Sequence, residues 1–220
     1  MTPGKNLRWI KVFVFLACLM PLGRLAWKAF HDALGANPIQ VITFSTGTWT
    51  LVFLLATLSI TPLRRLTGQL WLIQLRRMVG LFAFFYACLH FTTYIWLDKF
   101  FDVHEMLKDV VKRPFITAGF TAFVLLIPLA ITSTRGMIVR LGGKTWQCLH
   151  RLIYVSALAG VVHYIWLVKK DERVPAIFAT ILGALLLYRI LSWALQRTKS
   201  PSSRRPPGRA WQQQPDAIGE

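Results

Sequence analysis

Acidic residues are scarce in this chain. Nine Asp and Glu stand against 26 Lys and Arg in 220 residues, a formal charge of +17, and charged residues of both signs make up only 16%. With 55% of residues apolar and a mean hydropathy of +0.47, an ordinary soluble domain is excluded. A soluble nucleic-acid binder can be this basic, but it would not also carry long uncharged runs. The basic residues therefore serve membrane topology first, and no nucleic-acid partner is expected. Cysteine is sparse as well: Cys18, Cys88 and Cys148 lie in or beside apolar runs without CxxC spacing. That excludes a disulfide framework and a thiolate metal site, and the three read as small apolar packing residues. No internal repeat is present, and no GxGxxG follows a predicted strand; the paired Gly142 and Gly143 fall in a short loop. Too little chain remains outside the apolar runs for a built-in nucleotide-binding reductase domain.

Apolar runs fill the chain instead. A bilayer core needs about 20 mostly apolar helical residues, and six runs qualify: 7–27, 41–60, 78–97, 114–131, 149–168 and 174–195. The first has a basic start (Lys5, Arg8, Lys11) but runs too long and lacks a small-residue cleavage site, so it is expected to be retained. The predicted fold is all-α, a bundle of six transmembrane helices over residues 1–195. Residues 196–220, rich in Pro, Ser, Arg and Gln, read as a disordered basic tail resting near anionic lipid.

Six spans place both termini on one side. That side carries Lys5, Arg8, Lys11, Arg64, Arg65, Arg76, Arg77, Arg135, Arg140, Lys144, Arg197, Lys199, Arg204, Arg205 and Arg209, which is 15. The other carries Lys28, Lys99, Lys108, Lys112, Arg113, Lys169, Lys170 and Arg173, which is 8. The positive-inside rule then predicts cytoplasmic termini. Trp9, Trp27, Trp96, Trp146 and Trp193 sit near span ends, as interfacial anchors do.

Ionisable residues within spans are functional candidates, because the membrane makes them expensive. Of five histidines, His90, His150 and His163 lie within spans, while His31 and His104 fall in outer loops among acids. Span three runs outward from Arg77, which puts His90 about 20 Å from the inner edge; His163 lies 13 residues beyond His150, about 20 Å further out along span five. His90 and His163 are therefore level. Two imidazoles from different helices at one depth can take both axial positions of a haem iron, and His150 can serve a second haem near the inner face. The competing reading is a single histidine bonded to a neighbouring carbonyl or serine. On a straight helix, 13 residues leave His150 and His163 roughly 140° apart, which calls for a bend, with Gly160 the candidate.

Several stretches in order resemble the MsrQ (YedZ) family: Arg76-Arg77 leading into span three, LH-FTTY around His90, KRPFITAG at 112–119, LAITSTRGM at 129–137, and LGGKTWQCLHRLIYVSALAGVVHYIWLVKK at 141–170. This family comprises the haem-binding membrane subunits of a bacterial periplasmic methionine sulfoxide reductase system, within the wider ferric reductase transmembrane group that includes NADPH oxidases. The resemblance covers about residues 7–195. It implies haem b, one or two, held between spans three and five by His90, His150 and His163. Arg76 stands where the group's inner span-three histidine would be. It further implies electrons from quinol or a flavin reductase, delivered to a molybdopterin-containing catalytic subunit (MsrP) that reduces methionine sulfoxide in oxidised envelope proteins. FMN is associated with the family, although no motif here specifies a flavin.

Arg76, Arg77 and Arg151 are candidate contacts for quinone, an FMN phosphate or a haem propionate, since guanidinium suits planar oxyanions; topology anchoring and snorkelling are the alternatives. The loop 98–113 mixes both charge signs and is a candidate dock for a periplasmic partner. The chain is expected to move electrons without substrate catalysis of its own. Rival readings are a cytochrome serving ferric iron or oxygen, and a proton-coupled transporter without haem.

Overall fold

The computed structural model describes residues 3–168 and 172–198, and among these the chain is helical, with nine α-helices and no strand. They are α1 (Pro3–Phe30), α2 (Pro38–Thr67), α3 (Ile73–Thr92), α4 (Val103–Lys112), α5 (Pro114–Ile131), α6 (Arg135–Leu141), α7 (Gly143–Leu149), α8 (Leu152–Leu167) and α9 (Arg173–Thr198). Six segments are long and apolar enough to cross a membrane: Leu7–Phe30, Pro38–Thr67, Leu70–Asp98, Pro114–Ile131, Gly143–Leu167 and Arg173–Gln196. The chain is thus a multi-pass membrane protein. The short connection through Lys169, Lys170 and Asp171 and the tail from Lys199 onward lie outside the described residues.

α2 and the third span run past their apolar runs into basic ends, α2 through Arg64 and Arg65 and the third span from Leu70 through Arg76 and Arg77. α2 begins at Asn37, whose side chain accepts from the Gln40 N–H at 3.1 Å, with Pro38 in the first turn, and it stops at Gly68 in the left-handed region (φ 68°). The third span starts with a 3₁₀ turn at Leu70–Leu72, so Arg76 and Arg77 lie inside the helix and not at its edge. It ends as a π-helical segment, Thr93–Asp98, which begins three residues after His90.

The break expected near Gly160 lies elsewhere. α7 stops at Leu149, His150 and Arg151 form a turn, and α8 restarts at Leu152, so His150 and His163 do not share one straight helix. Gly160 instead admits α2: a Cβ there would meet Leu51 at 3.1 Å.

The densest packing joins α2 to α3 and α5 to α8, with Leu54, Ala83, Tyr86, Ser156 and Ala157 almost wholly buried. Ser156 donates to the Ala122 carbonyl across α5 and α8 at 2.9 Å. Tyr86 ties α1 to this core by accepting from the Leu22 N–H (3.1 Å) and donating to the Cys18 carbonyl (2.9 Å). A regular helix would pair those two backbone groups directly. Large apolar side chains such as Phe13, Met20 and Leu187 are exposed, as befits faces turned to lipid. Of the three cysteines only Cys18 is buried, and Cys148 is exposed.

Candidate functional site

His90 on α3 and His163 on α8 face each other with ring centroids 6.2 Å apart and ring planes at 74°. The depth match read from sequence is therefore a true juxtaposition. Each ring is held in the same way. His90 Nδ1 lies 2.9 Å from the Thr43 carbonyl of α2, and His163 Nδ1 lies 2.6 Å from the Phe115 carbonyl of α5. A carbonyl can only accept, so each Nδ1 carries the proton and each Nε2 keeps its lone pair.

Two glycines make these contacts possible. A Cβ on Gly47 of α2 would lie 3.0 Å from the His90 ring, and one on Gly119 of α5 would lie 2.7 Å from His163 Nδ1. Each glycine stands four residues after the carbonyl its histidine uses, Thr43 before Gly47 and Phe115 before Gly119. Both imidazoles thus lie flat against a neighbouring helix backbone, and the α2–α3 and α5–α8 pairs repeat one device. Phe91, stacked on Phe123 at 4.5 Å and near Phe120 at 6.1 Å, closes the α3–α5 side with hydrocarbon. The π segment adds a second tie: Thr93 donates to the His90 carbonyl (2.7 Å), and Thr43 donates to the Thr93 hydroxyl (3.2 Å).

Among the described residues, no three His, Cys, Asp or Glu come together to hold a bare metal ion. Two imidazoles fall short of the three or four protein ligands of a zinc site. They suit a metal that brings its equatorial ligands with it. Two metal–imidazole bonds of about 2 Å each, plus the half-widths of two five-membered rings, span about the observed separation.

His150 has a different setting. Its ring stacks on Trp146 at 3.9 Å, and its Nε2 lies 3.0 Å from the Thr132 hydroxyl. Thr132 donates its single proton to the Pro128 carbonyl (2.6 Å), so His150 Nε2 is the donor of that pair. Trp146, expected as an interfacial anchor, belongs to this cluster and donates to the Thr132 carbonyl at 2.9 Å. Arg76 is half-buried on this side, within electrostatic range of His150 and of Arg189, whose guanidinium lies over the Tyr154 ring at 4.9 Å. Arg77 and Arg151 are exposed.

Beyond the His90 end of the bundle, Asp109 of α4 is 4% exposed and takes Lys99 at 2.5 Å and Arg113 at 3.2 Å, with the Tyr94 hydroxyl at 3.4 Å. The Lys99 ammonium, with Arg113 behind it, holds the Asp109 carboxyl below the usual carboxylate range. The loop expected to offer its acids to a partner thus spends one of them internally, and Glu105 is paired with Lys108 at 2.8 Å.

Residues 44–161 match the family described as ferric reductase like transmembrane component. The chain is 65% identical over 194 residues to the protein-methionine-sulfoxide reductase heme-binding subunit MsrQ of Herminiimonas arsenicoxydans, covering 87% of this chain and 88% of that relative. The MsrQ subunits of Ralstonia nicotianae (51% over 192 residues, 86% and 88% covered) and Azospira oryzae (48% over 204 residues, 92% and 88%) are similar over the same extent. The chain belongs to the MsrQ family. The ferric-reductase match contains His90 and His150 and ends two residues short of His163 (163 − 161). Sequence reasoning missed Gly47, Gly119, Thr132 and Arg189. The glycines offered a faint signal, each being a residue without a side chain inside a membrane span and preceded by other small residues; the two carbonyl partners offered none.

Proposed function

We propose that the chain is a haem b electron-transfer subunit that takes electrons from respiratory quinol and passes them across the bacterial inner membrane to a periplasmic molybdenum-cofactor methionine sulfoxide reductase, the MsrP partner of its family. The observation that carries this reading is the approach of His90 and His163 to 6.2 Å with both Nδ1 atoms committed to carbonyls. The haem supplies reversible one-electron acceptance and release when bound. The chain supplies the rest. His90 and His163 hold the iron through Nε2. Thr43 and Phe115 fix the tautomers and raise ligand basicity, as second partners of metal-bound histidines do. Gly47 and Gly119 let the rings sit against the backbone, and the Phe91–Phe123 stack keeps water out.

The inner end favours a donor site over a second equal haem, because His150 Nε2 already has Thr132 and the facing position on α3 is Arg76. Arg76, inward-facing and close to Arg189, is the residue that would meet an anionic donor such as quinone or an FMN phosphate. Arg77 and Arg151, both exposed, act as interfacial anchors.

The test is the absorbance of the purified chain. The reduced protein is expected to show the sharp visible bands of six-coordinate low-spin haem b, and His90→Ala or His163→Ala should each remove most of the haem. Full haem content with an unchanged spectrum in both variants overturns the ligand assignment. A colourless wild-type chain favours the proton-coupled transporter.

A further inference from the structure

Helix α4 is divided lengthwise into three sectors. At 100° per residue, Glu105, Met106, Asp109 and Val110 occupy one side, and these are the residues of α4 that are buried or half-buried. Val103, Leu107 and Val111 form a second stripe with relative exposures of 63%, 63% and 84%. His104, Lys108 and Lys112 form a third, exposed and polar. A helix in water against a protein needs two sectors; a third, apolar and open, needs another solvent.

The position of α4 says which solvent. It lies between two spans, Leu70–Asp98 and Pro114–Ile131, and its last residue, Lys112, stands two before the first residue of the next span. It cannot rise away: Asp109 pairs with Arg113, and the Thr117 hydroxyl of α5 donates to the Val110 carbonyl. Val111 also lines a shallow groove of about 500 Å³ with Pro114, Thr121, Leu158, Val162 and Trp166, on the outward flank of α5 and α8. The apolar stripe is therefore continuous with a surface that faces acyl chains. In the turn before α4, Phe100 and Phe101 adopt left-handed backbone (φ 48° and 63°) and are 78% and 64% exposed. Bulky side chains rarely accept that backbone, and here it turns two aromatic rings outward just past the end of the span Leu70–Asp98, and aromatic belts form at span ends.

We propose that α4 and the Phe100-Phe101 turn form an interfacial lipid-binding element at the His90 end of the bundle. Val103, Leu107 and Val111 enter the acyl region, an acyl chain lies in the α5–α8 groove, and His104, Lys108 and Lys112 face the headgroups. The proposal does not depend on haem or on the direction of electron flow.

The experiment uses the full chain in nanodiscs of phosphatidylcholine and phosphatidylglycerol. Spin labels are placed singly at Leu107→Cys, Val111→Cys, Lys108→Cys and Lys112→Cys in a Cys148→Ser background, since Cys148 is the exposed native thiol. Collision with oxygen, which concentrates in lipid, is compared with collision with a water-soluble nickel chelate. The oxygen-to-nickel ratio at positions 107 and 111 is expected to exceed that at 108 and 112 several-fold. Equal, nickel-dominated collision at all four positions overturns the proposal and makes the apolar stripe a surface for a soluble partner. All four substitutions are at exposed positions, and the haem spectrum of each sample reports on the bundle separately.

Discussion

At the scale of single residues, the two glycines separate a ligand-positioning role from ordinary helix chemistry. Replacing a helical glycine with alanine usually stabilises by about 0.5–1 kcal/mol. At Gly119 the new Cβ would meet His163 Nδ1 at 2.7 Å, so the ring must leave the Phe115 carbonyl, an overpacking that costs about 1–3 kcal/mol. Gly119→Ala is therefore expected to lower haem content more than Gly47→Ala, where the closest approach is 3.0 Å. Gly183→Ala, with nothing within 4 Å, should leave haem untouched. Haem-to-protein ratios of the three variants decide it, and equal ratios would remove the positioning role. His90 and His163 themselves were legible in the sequence, because a polar ring in an apolar span is conspicuous and helical rise gives its depth. Their partners were not, because a backbone carbonyl has no letter and a glycine's vacancy matters only against a particular neighbour.

At the scale of elements, hydropathy located all six spans but not their interruptions. The turn at His150 and the π segment after His90 lie inside apolar runs, where periodicity is silent; the Thr93 hydroxyl takes the His90 carbonyl just before the π segment, and the His150 side chain at the turn is held by the Thr132 hydroxyl. α4 was hidden inside a stretch read as a loop, since a helix with equal polar and apolar faces has no net hydropathy. What fastens α4 is Asp109. Its carboxyl titrates below the normal range, so its contribution is complete above the ordinary aspartate value of about 3.9 and is lost as pH falls below that through the lowered value. Amide exchange across α4 is thus expected to be constant from neutral pH down to about 5, after correction for intrinsic rates, and to quicken below about 4. Asp109→Asn should quicken it at neutral pH by roughly tenfold or more, the equivalent of one lost charge-assisted hydrogen bond. Protection that is indifferent to both changes would mean that apolar contacts hold α4.

At the scale of the whole molecule, orientation and direction rest on charge. The proposed orientation rests on 15 basic residues on one side against 8 on the other, which by the positive-inside rule favours cytoplasmic ends and would place the His90–His163 pair in the periplasmic half. A reporter fused after Leu195 should accordingly read cytoplasmic; a periplasmic signal would reverse the proposed direction of electron flow. On the proposed orientation a periplasmic acceptor would approach near the π segment and α4, and with the apolar stripe given to lipid as proposed, the water-facing residues are what remain for docking. Asp98 has a side chain 57% exposed and only a long contact to Lys99 at 4.0 Å, so it can steer, whereas Asp102 also caps α4 by accepting from the Glu105 N–H at 3.0 Å. A charge test must therefore spare the cap. The combination Asp98→Lys, Asp102→Asn and Glu105→Lys keeps a capping side chain and removes the three acidic charges of this stretch other than the buried Asp109. At low ionic strength it should slow reduction of the methionine sulfoxide reductase partner by about tenfold, with the gap closing as salt rises, because steering acts on encounter and is screened within about 10 Å at 0.1 M. Haem spectra and reduction from the inner side should persist. Normal partner turnover in low salt would move the dock away from this loop without touching the haem assignment, since the variant leaves His90, His163 and their carbonyl partners in place.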